Sequence, residues 1–454
     1  MIDTEFENKL AKIFFHVTRY GAVLHAEEND KPEDFNPQRF FELCNEGFKI
    51  AQNEILTEIK ALQTTQKSSN KKLKKERKKR NKEKTDILIS KINIENYKEE
   101  LLRNLAFTIV WQLFNGKREI IARLYTGERG EKELEGKGFE AILQAALEIN
   151  QHPDKFALIS DLTNTVQIGD LLVTHPDRYE IVEVKTGKKN EEAFRVLNFY
   201  KVNNLKVSQE RLEKSFDPKF AQQVLRIKKQ EDKSKKVKII VETDQGEDPK
   251  QNDTHVRLID SPIVDDTYHN EIVDLIEKLE EKDWAYTNIM GIINVGAYKN
   301  DWRIYGKEIL KEINKKYPVY DLTSSLGITI AEPIFAKPFG DDKIIDLALG
   351  RIKIYVGIDF DMFIKFCNDM GLPMRWSTSK EFGKFLSKPS GYNKEIFSFD
   401  NKGLIIEDEE TKGTPIFVGH GMLVRMMFDH IKPETLVMNR KIGFENFKRE
   451  VNQD

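Results

Sequence analysis

Apolar residues recur at helical spacing through much of the first 125 residues. One amphipathic helix is marked by Phe41, Cys44, Phe48, Ala51, Ile55 and Ile59. A second is marked by Leu88, Ile89, Ile92, Leu101, Leu102, Leu105, Ile109, Val110 and Leu113. Because such spacing places an apolar stripe on each helix, we expect residues 1–125 to form a helical N-terminal domain.

A strongly basic stretch separates these two helices. Residues 67–84, KSSNKKLKKERKKRNKEK, contain only Glu76 and Glu83 as acids. Such an arm can bind a phosphate backbone, because each lysine contact releases counterions. A solvated helix tip or flexible connection that aids solubility explains the composition equally well. A helical hairpin with this tip is also consistent with dimerisation or with binding a protein partner.

The pattern changes to mixed helix and strand after residue 136. Residues 136–149, GKGFEAILQAALEI, predict an amphipathic helix with Glu140 beside its apolar face. The apolar positions of this helix are Phe139, Ile142, Leu143, Ala146 and Leu147. Residues 170–174 and 179–184 are then β-prone, and His-Pro-Asp-Arg between them predicts the turn of a β-hairpin.

Further along, Asp217-Pro218 predicts the start of another helix, and residues 237–242 predict a strand. The basic run 228–236 is expected to be the end of that helix and an exposed loop. Residues 126–245 therefore predict a second domain built from helices and strands.

Three charged residues of the predicted hairpin can come together. Side chains alternate along a strand, so Glu183 and Lys185 share one face, and Asp170 can reach the same neighbourhood from the start of the first strand. Carboxylate oxygens are ligands of hard divalent cations such as magnesium. A lysine beside such an ion can orient the attacking water or stabilise charge on a phosphate. By spacing alone, a solvated Glu–Lys pair and an unrelated aspartate fit equally well.

The order of these elements resembles that of the PD-(D/E)xK nuclease superfamily over about residues 126–245. A helix with Glu140 precedes a strand with Asp170, a strand with Glu183-Val184-Lys185, a helix and a strand. The pattern departs from the family at Gly169-Asp170, where Pro-Asp is usual. The resemblance implies an α/β, restriction endonuclease-like fold in which helices flank a mixed sheet.

The resemblance also implies a set of site residues. The catalytic residues would be Asp170, Glu183 and Lys185. The ligands of Mg²⁺ or Mn²⁺ would be Glu140, Asp170, Glu183 and the backbone carbonyl of Val184. A glutamine on the following helix faces the site in several nuclease families, so Gln222 or Gln223 is expected there. With Lys188 and Lys189, which follow the Glu-x-Lys motif, Gln222 is expected to bind nucleic acid.

Strands and helices alternate from residue 246 to residue 454, which predicts an α/β C-terminal module. Residues 289–295 and 351–358 predict strands, and residues 334–335 are expected to be extended. Asp359 is expected to cap the helix that follows it. His430 is expected to be a packed or capping residue.

Composition limits the cellular setting. The net charge is -2 over 454 residues, so the chain as a whole is not basic. Local charged patches are therefore more informative about a nucleic-acid partner than the total charge. Cys44 and Cys367 lie far apart without a CxxC motif, which argues against a zinc ribbon or a disulfide scaffold. The N-terminus does not have the pattern of a signal peptide, and no apolar run is long enough for a membrane span. We expect a soluble, cytoplasmic protein.

The resemblance to the PD-(D/E)xK nucleases, taken with these features, implies a magnesium-dependent endonuclease that acts on DNA, in restriction or anti-phage defence. The alternative is a non-catalytic scaffold or nucleic-acid-binding subunit, built on an inactive nuclease-like core. Weak metal affinity at Asp170 and Glu183 would favour that alternative.

Overall fold

The computed structural model of the chain describes residues 2–28, 35–125, 134–185, 187–249, 255–257, 263–323, 330–387, 396–406 and 416–451. The chain divides into two compact units, Met1–Leu258 and Ile259–Asp454. Both contain helices and small antiparallel sheets, so the protein belongs to the general α/β class. The predicted segments 1–125 and 126–245 lie within the first unit. Among the described helices, none has the length and apolar content needed to cross a bilayer.

The first unit begins with six helices. They are α1 (Thr4–Thr18), α2 (Tyr20–Glu28), α3 (Pro37–Lys78), α4 (Lys82–Leu113), α5 (Arg118–Leu124) and α6 (Lys137–Asn150). The next elements are β1 (Phe156–Ile159), β2 (Leu171–Thr174), β3 (Tyr179–Val182), α7 (Lys188–Val202), α8 (Gln209–Glu213), α9 (Pro218–Thr243), β4 (Gln245–Glu247) and β5 (His255–Arg257).

The two longest predicted helices are present and form a hairpin. Helices α3 and α4 contain 42 and 32 residues and pack along each other. Ile55, Ile59, Leu105 and Ile109 are fully buried there, and each such side chain contributes about 1.5–3 kcal/mol to folding. Asn81 begins α4, because its side chain accepts a hydrogen bond from the backbone N of Lys84. The basic run therefore occupies the tip of a helical hairpin about 63 Å long.

The predicted β-hairpin is confirmed. Strands β1, β2 and β3 form an antiparallel sheet in that order, and β2 pairs with β3 from Leu171↔Val182 to Thr174↔Tyr179. The turn closes with a hydrogen bond of 2.9 Å from His175 N to Arg178 O. Helix α6 is also confirmed and packs on β1. Its Phe139 and Ala146 are buried, whereas Leu147 is exposed.

The strand predicted at residues 237–242 is wrong. These residues belong to α9, the 26-residue helix Pro218–Thr243. This helix starts at Asp217-Pro218 as predicted, with Asp217 as its cap. The loop expected at residues 228–236 is helical as well. Val237 and Ile240 are buried as part of α9, so packing overrides the β-propensity of the branched residues. The sheet of β1–β3 is consequently purely antiparallel, whereas a mixed sheet was expected.

The second unit alternates helices and strands. Its first half contains α10 (His269–Glu277), β6 (Trp284–Ile289), β7 (Ile293–Lys299), α11 (Trp302–Asn314), β8 (Val319–Asp321), α12 (Asp341–Ala348) and β9 (Ile352–Ile358). Its second half contains α13 (Phe360–Asp369), β10 (Met374–Trp376), α14 (Ser379–Leu386), β11 (Ser398–Phe399), β12 (Lys402–Ile406), β13 (Ile416–Phe417), α15 (His420–Phe428) and α16 (Pro433–Val451). The larger sheet has the order β6-β7-β9-β8 and is antiparallel throughout.

Two predictions for this unit are wrong and two are confirmed. Residues 289–295 are not one strand, because Met290 and Gly291 take positive φ and turn the chain from β6 into β7. Ile334–Ala336 form a 3₁₀ helix and are not extended. The strand predicted at residues 351–358 is β9. Asp359 caps α13 by accepting hydrogen bonds from the backbone N of Asp361 and of Met362.

A buried polar cluster lies in the second unit, and it includes the packed His430. The side chain of Lys337 is 0% exposed; it donates to the carbonyl of Phe428 and pairs with Glu332 at 3.1 Å. His430 Nδ1 lies 2.8 Å from His269 Nδ1. Burial lowers the pKa of His269 to about 4 and lowers that of His430 as well. Burial raises the pKa of Glu332.

Candidate active site

The β2–β3 hairpin, called the β-hairpin below, brings Asp170 and Glu183 opposite each other. The β2–β3 ladder ends at the pair Leu171↔Val182, so the next two residues outward are Asp170 and Glu183. Asp170 N donates to Val182 O at 2.8 Å, and Asp170 Oδ2 accepts from Val184 N at 2.7 Å. The first hydrogen bond holds the backbone of Asp170 against β3, and the second holds its carboxylate against the segment that follows β3 and carries Glu183.

Gly169 explains the departure from Pro-Asp. Its φ is +79°, a value that the ring of proline, fixed near -65°, cannot reach. A Cβ at this position would also lie 2.3 Å from the side chain of Ile181. Glycine is therefore required for the chain to enter β2 with Asp170 in its observed place.

The carboxyl of Asp170 has an unusual pKa. Burial raises it most, the neighbouring charge of Glu183 raises it further, and the result is a pKa of about 6. The hydrogen bond from Val184 and the charge of Lys185 lower it, and Asp161 raises it. Two carboxylates thus repel each other in a half-buried place, and a bound cation would relieve that repulsion.

Lys185 joins the β-hairpin to α9. Its Nζ lies 2.8 Å from Glu183 Oε2 and 3.0 Å from Gln230 Oε1. The side chains of Lys185 and Glu183 are 20% and 17% exposed, so the ion pair is largely shielded from water. This shielding holds the ammonium group in a defined position beside the two carboxylates.

The structure places Glu140 in the first turn of α6, with its side chain exposed. Within the described residues, no group of three or more His, Cys, Asp or Glu side chains is arranged to hold a metal ion. Glu140 as a ligand stays a prediction. So does the carbonyl of Val184, whose backbone N bonds to Asp170.

The glutamine at the site is not the expected one. Gln222 is exposed on α9, and Gln223 donates a hydrogen bond to Asn190 on α7. Gln230 reaches Lys185 instead. It lies seven residues after Gln223, and residues seven apart share a helix face to within about 20°, so this spacing was the available signal. Lys188 and Lys189 are exposed in the first turn of α7.

Asp161 is a second residue that sequence reasoning missed. It lies in the 3₁₀ helix Ser160–Leu162 that follows β1. The neighbouring Ser160 N donates to Asp170 O at 3.0 Å, which keeps this segment beside the start of β2. The charge of Asp161 acts on Asp170, so a third acid lies near the pair.

The residues of the β-hairpin fit a small hard cation. Mg²⁺ is often held through one or two carboxylates and keeps several of its waters. Asp170 and Glu183 provide two such carboxylates. Each has one oxygen engaged in the contacts above, Oδ2 of Asp170 and Oε2 of Glu183. The donors that the β-hairpin offers are thus oxygens, whereas a zinc site is usually built from sulfur and imidazole ligands.

Comparisons with known proteins do not supply a family. No protein-family model matches the sequence, and no curated protein and no solved structure is detectably similar to it. Function is therefore inferred from the residues and geometry of the chain itself.

Proposed function

We propose that this protein is a metal-dependent nuclease that hydrolyses phosphodiester bonds of DNA. The observation that carries the proposal is the half-buried pair of carboxylates, Asp170 and Glu183, with the ammonium group of Lys185 held beside them. Two carboxylates can hold a divalent metal ion, and an ammonium group beside them can stabilise negative charge on a phosphate. A nuclease unit joined to a second unit is consistent with regulation by a partner or a target, and we propose a role in restriction or anti-phage defence.

Each residue then has a defined part. Asp170 and Glu183 would hold Mg²⁺ or Mn²⁺. The bound ion would supply an activated water and would polarise the phosphate. Lys185, fixed by Glu183 and Gln230, would position the water and stabilise charge on the phosphate in the transition state. The hydrogen bond from Val184 N orients Asp170.

A non-catalytic nucleic-acid-binding or scaffold subunit is the second candidate. Two observations favour it: Lys185 neutralises Glu183 within the chain itself, and no third ligand joins the pair among the described residues. The two candidates differ in their expected metal affinity, so metal binding separates them.

A titration of the full-length protein with Mn²⁺, followed by calorimetry, tests the metal site without any substrate. We expect one site that Asp170→Asn weakens by at least the roughly 10–100-fold seen for residues around metal ligands. If Glu140 is also a ligand, Glu140→Gln will weaken binding too, since it removes a negative charge. Glu148→Gln, on the same helix, serves as the matched control.

Either of two results would count against the metal site. Wild-type protein that binds no Mn²⁺ would favour the scaffold. Asp170→Asn with unchanged affinity would place the metal elsewhere. Glu140→Gln that matches Glu148→Gln would leave the site with Asp170 and Glu183 alone.

The basic tip of the α3–α4 hairpin provides a second prediction. Replacing the lysines and arginines between Lys71 and Lys84 with glutamine should weaken DNA binding and flatten its salt dependence. For every phosphate that the tip no longer neutralises, the slope of log K against log salt should fall by about 0.9. Equilibrium titrations at several salt concentrations measure this slope. A variant with glutamine at Lys278, Lys282 and Lys307 is the control, and equal slopes for tip variant and wild type would make the tip a solubility or assembly element.

A further inference from the structure

A cavity of about 700 Å³ lies between the start of α7 and the start of α9 in the first unit. Its volume is within the 300–1,000 Å³ range of ligand pockets. Three lysines line it, Lys188 and Lys189 from α7 and Lys219 from α9, together with the rings of Phe216 and Phe220. Cationic groups and aromatic rings in one cavity are the combination that binds phosphates and stacks bases.

The helices that form the walls of this cavity pack on a shared hydrophobic core. Helices α7, α8 and α9 share a core that includes Leu197, Leu212 and Val224, and both phenylalanines pack against it. The two rings lie 5.3 Å apart at 58°. Each is only partly buried, so each keeps some surface available to a ligand.

The cavity adjoins the candidate active site. Gly187, which lines it, lies two positions after Lys185. Gln223 lines the cavity and Gln230 contacts Lys185, and the two glutamines share one face of α9 about 10 Å apart along its axis. Neighbouring nucleotides of an unstacked single strand can span a separation of this size. One strand could therefore occupy both places.

Two acidic side chains also line the cavity and would repel a phosphate placed beside them. These are Asp217 and Glu192, but Asp217 Oδ1 is engaged in capping α9, where it accepts from the backbone N of Lys219 and of Phe220. Lys188 and Lys189 belong to the first turn of α7, whose N-cap Gly187 has no side chain to occupy the first N–H groups. The positive end of the helix and the two lysines make this the end for a phosphate.

We propose that this cavity binds one unpaired nucleotide of the substrate strand, beside the phosphate that the active site cleaves. The inference rests on the proposed nuclease function and narrows its substrate to single-stranded DNA or to a frayed end. A base-paired nucleotide keeps both faces stacked and cannot enter a cavity, whereas an unstacked base can lie on an aromatic ring. The phosphate lies at Lys188 and Lys189, and the base lies at Phe216 and Phe220.

Binding measured in EDTA tests the cavity separately from cleavage, because EDTA removes the metal that cleavage requires. Fluorescence anisotropy of the full-length protein would use a labelled 12-nucleotide single strand and a duplex of the same length. We expect Phe216→Leu with Phe220→Leu to lower the affinity for the single strand by about tenfold and the affinity for the duplex by less than about twofold. Leucine keeps the rings' apolar packing, and retained duplex binding shows that the variant is folded.

Two further arms sharpen the test. An abasic residue at one position of the strand should weaken wild-type binding and should cost nothing more in the leucine variant, because the two changes remove the same contact. Glutamine at Lys188, Lys189 and Lys219 should lower single-strand affinity by about tenfold. Glutamine at the exposed Lys201, Lys206 and Lys214 of the same helices and their connection is the matched control.

The outcomes separate the pocket from the nuclease. If the leucine and glutamine variants bind the single strand like the wild type, the cavity does not bind a nucleotide. This conclusion holds even if the wild type cleaves DNA in the presence of metal. If an abasic residue weakens binding to the leucine variant as much as to the wild type, the proposal is contradicted as well. If the variants lose affinity for the single strand but not for the duplex, the nucleotide-binding proposal is supported. If the wild type nevertheless cleaves no DNA in the presence of metal, only the proposed nuclease function is contradicted.

Discussion

Lys185→Ala should lower the rate of DNA cleavage by about 10²–10⁴-fold, the range typical of a residue that assists proton transfer or charge stabilisation. The ammonium group of this lysine bonds to two polar side chains, Glu183 and Gln230, so folding and DNA binding should remain largely intact. Single-turnover cleavage gives the rate, circular dichroism the folding, and anisotropy the binding.

Two variants control the interpretation of this loss. Lys185→Met keeps the apolar stem of the side chain and should lose as much activity as Lys185→Ala. Lys201→Ala changes an exposed lysine at the end of α7 and should cleave like the wild type. A folded Lys185→Ala protein that cuts at a near wild-type rate would move the active site away from the β-hairpin.

The second unit should lose stability steeply between pH 6.5 and about pH 4. His269 has a pKa of about 4 in the folded chain and 6.5 when exposed. In this window the unfolded chain binds a proton that the folded chain does not, so stability is fully present above pH 6.5 and falls as pH falls. His430 acts in the same direction. Each proton costs about 1.4 kcal/mol per pH unit.

The neighbours of the histidines set the size of this effect. The charge of Lys337 opposes protonation of both rings. Glu332 acts in the opposite direction, since its raised pKa lets the folded chain bind a proton first. Asp429 Oδ1 accepts a hydrogen bond of 2.7 Å from Glu332 N and keeps this acid in place. We therefore expect a net loss of a few kcal/mol by pH 4.5.

Tryptophan fluorescence during denaturant unfolding measures this loss, because Trp284, Trp302 and Trp376 lie in the second unit and only Trp111 in the first. His430→Asn removes one titrating ring and should flatten the pH dependence. Asparagine tolerates the φ of +57° at this position. His152→Asn, at an exposed histidine of the first unit, should change nothing. A pH dependence equal in His430→Asn and wild type would show that the cluster does not control acid stability.

The β-hairpin and the meeting of its charges could be predicted because they depend on local rules. Strand alternation put Glu183 and Lys185 together, and His-Pro-Asp-Arg set the register that places Asp170 opposite Glu183. Neither result needs knowledge of distant residues.

Tertiary packing decided the parts that could not be predicted. Residues 237–242 are rich in branched side chains and favour a strand in isolation, but Val237 and Ile240 are buried as part of α9. The turn between β6 and β7 is apolar and has only Gly291 as a breaker, so it resembles strand. Gln230 was missed because the turn of α9 that meets Lys185 depends on how α9 packs against the β-hairpin.

Incubation of the purified full-length protein with plasmid, linear duplex and single-stranded DNA, in Mg²⁺, Mn²⁺ or EDTA, tests the central claim most directly. We predict cleavage by the wild type with either metal, no cleavage in EDTA, and no cleavage by Asp170→Asn under any condition. Folded wild-type protein that cuts none of the substrates would contradict the nuclease function. Cleavage that Asp170→Asn and Glu183→Gln leave unchanged would contradict the site.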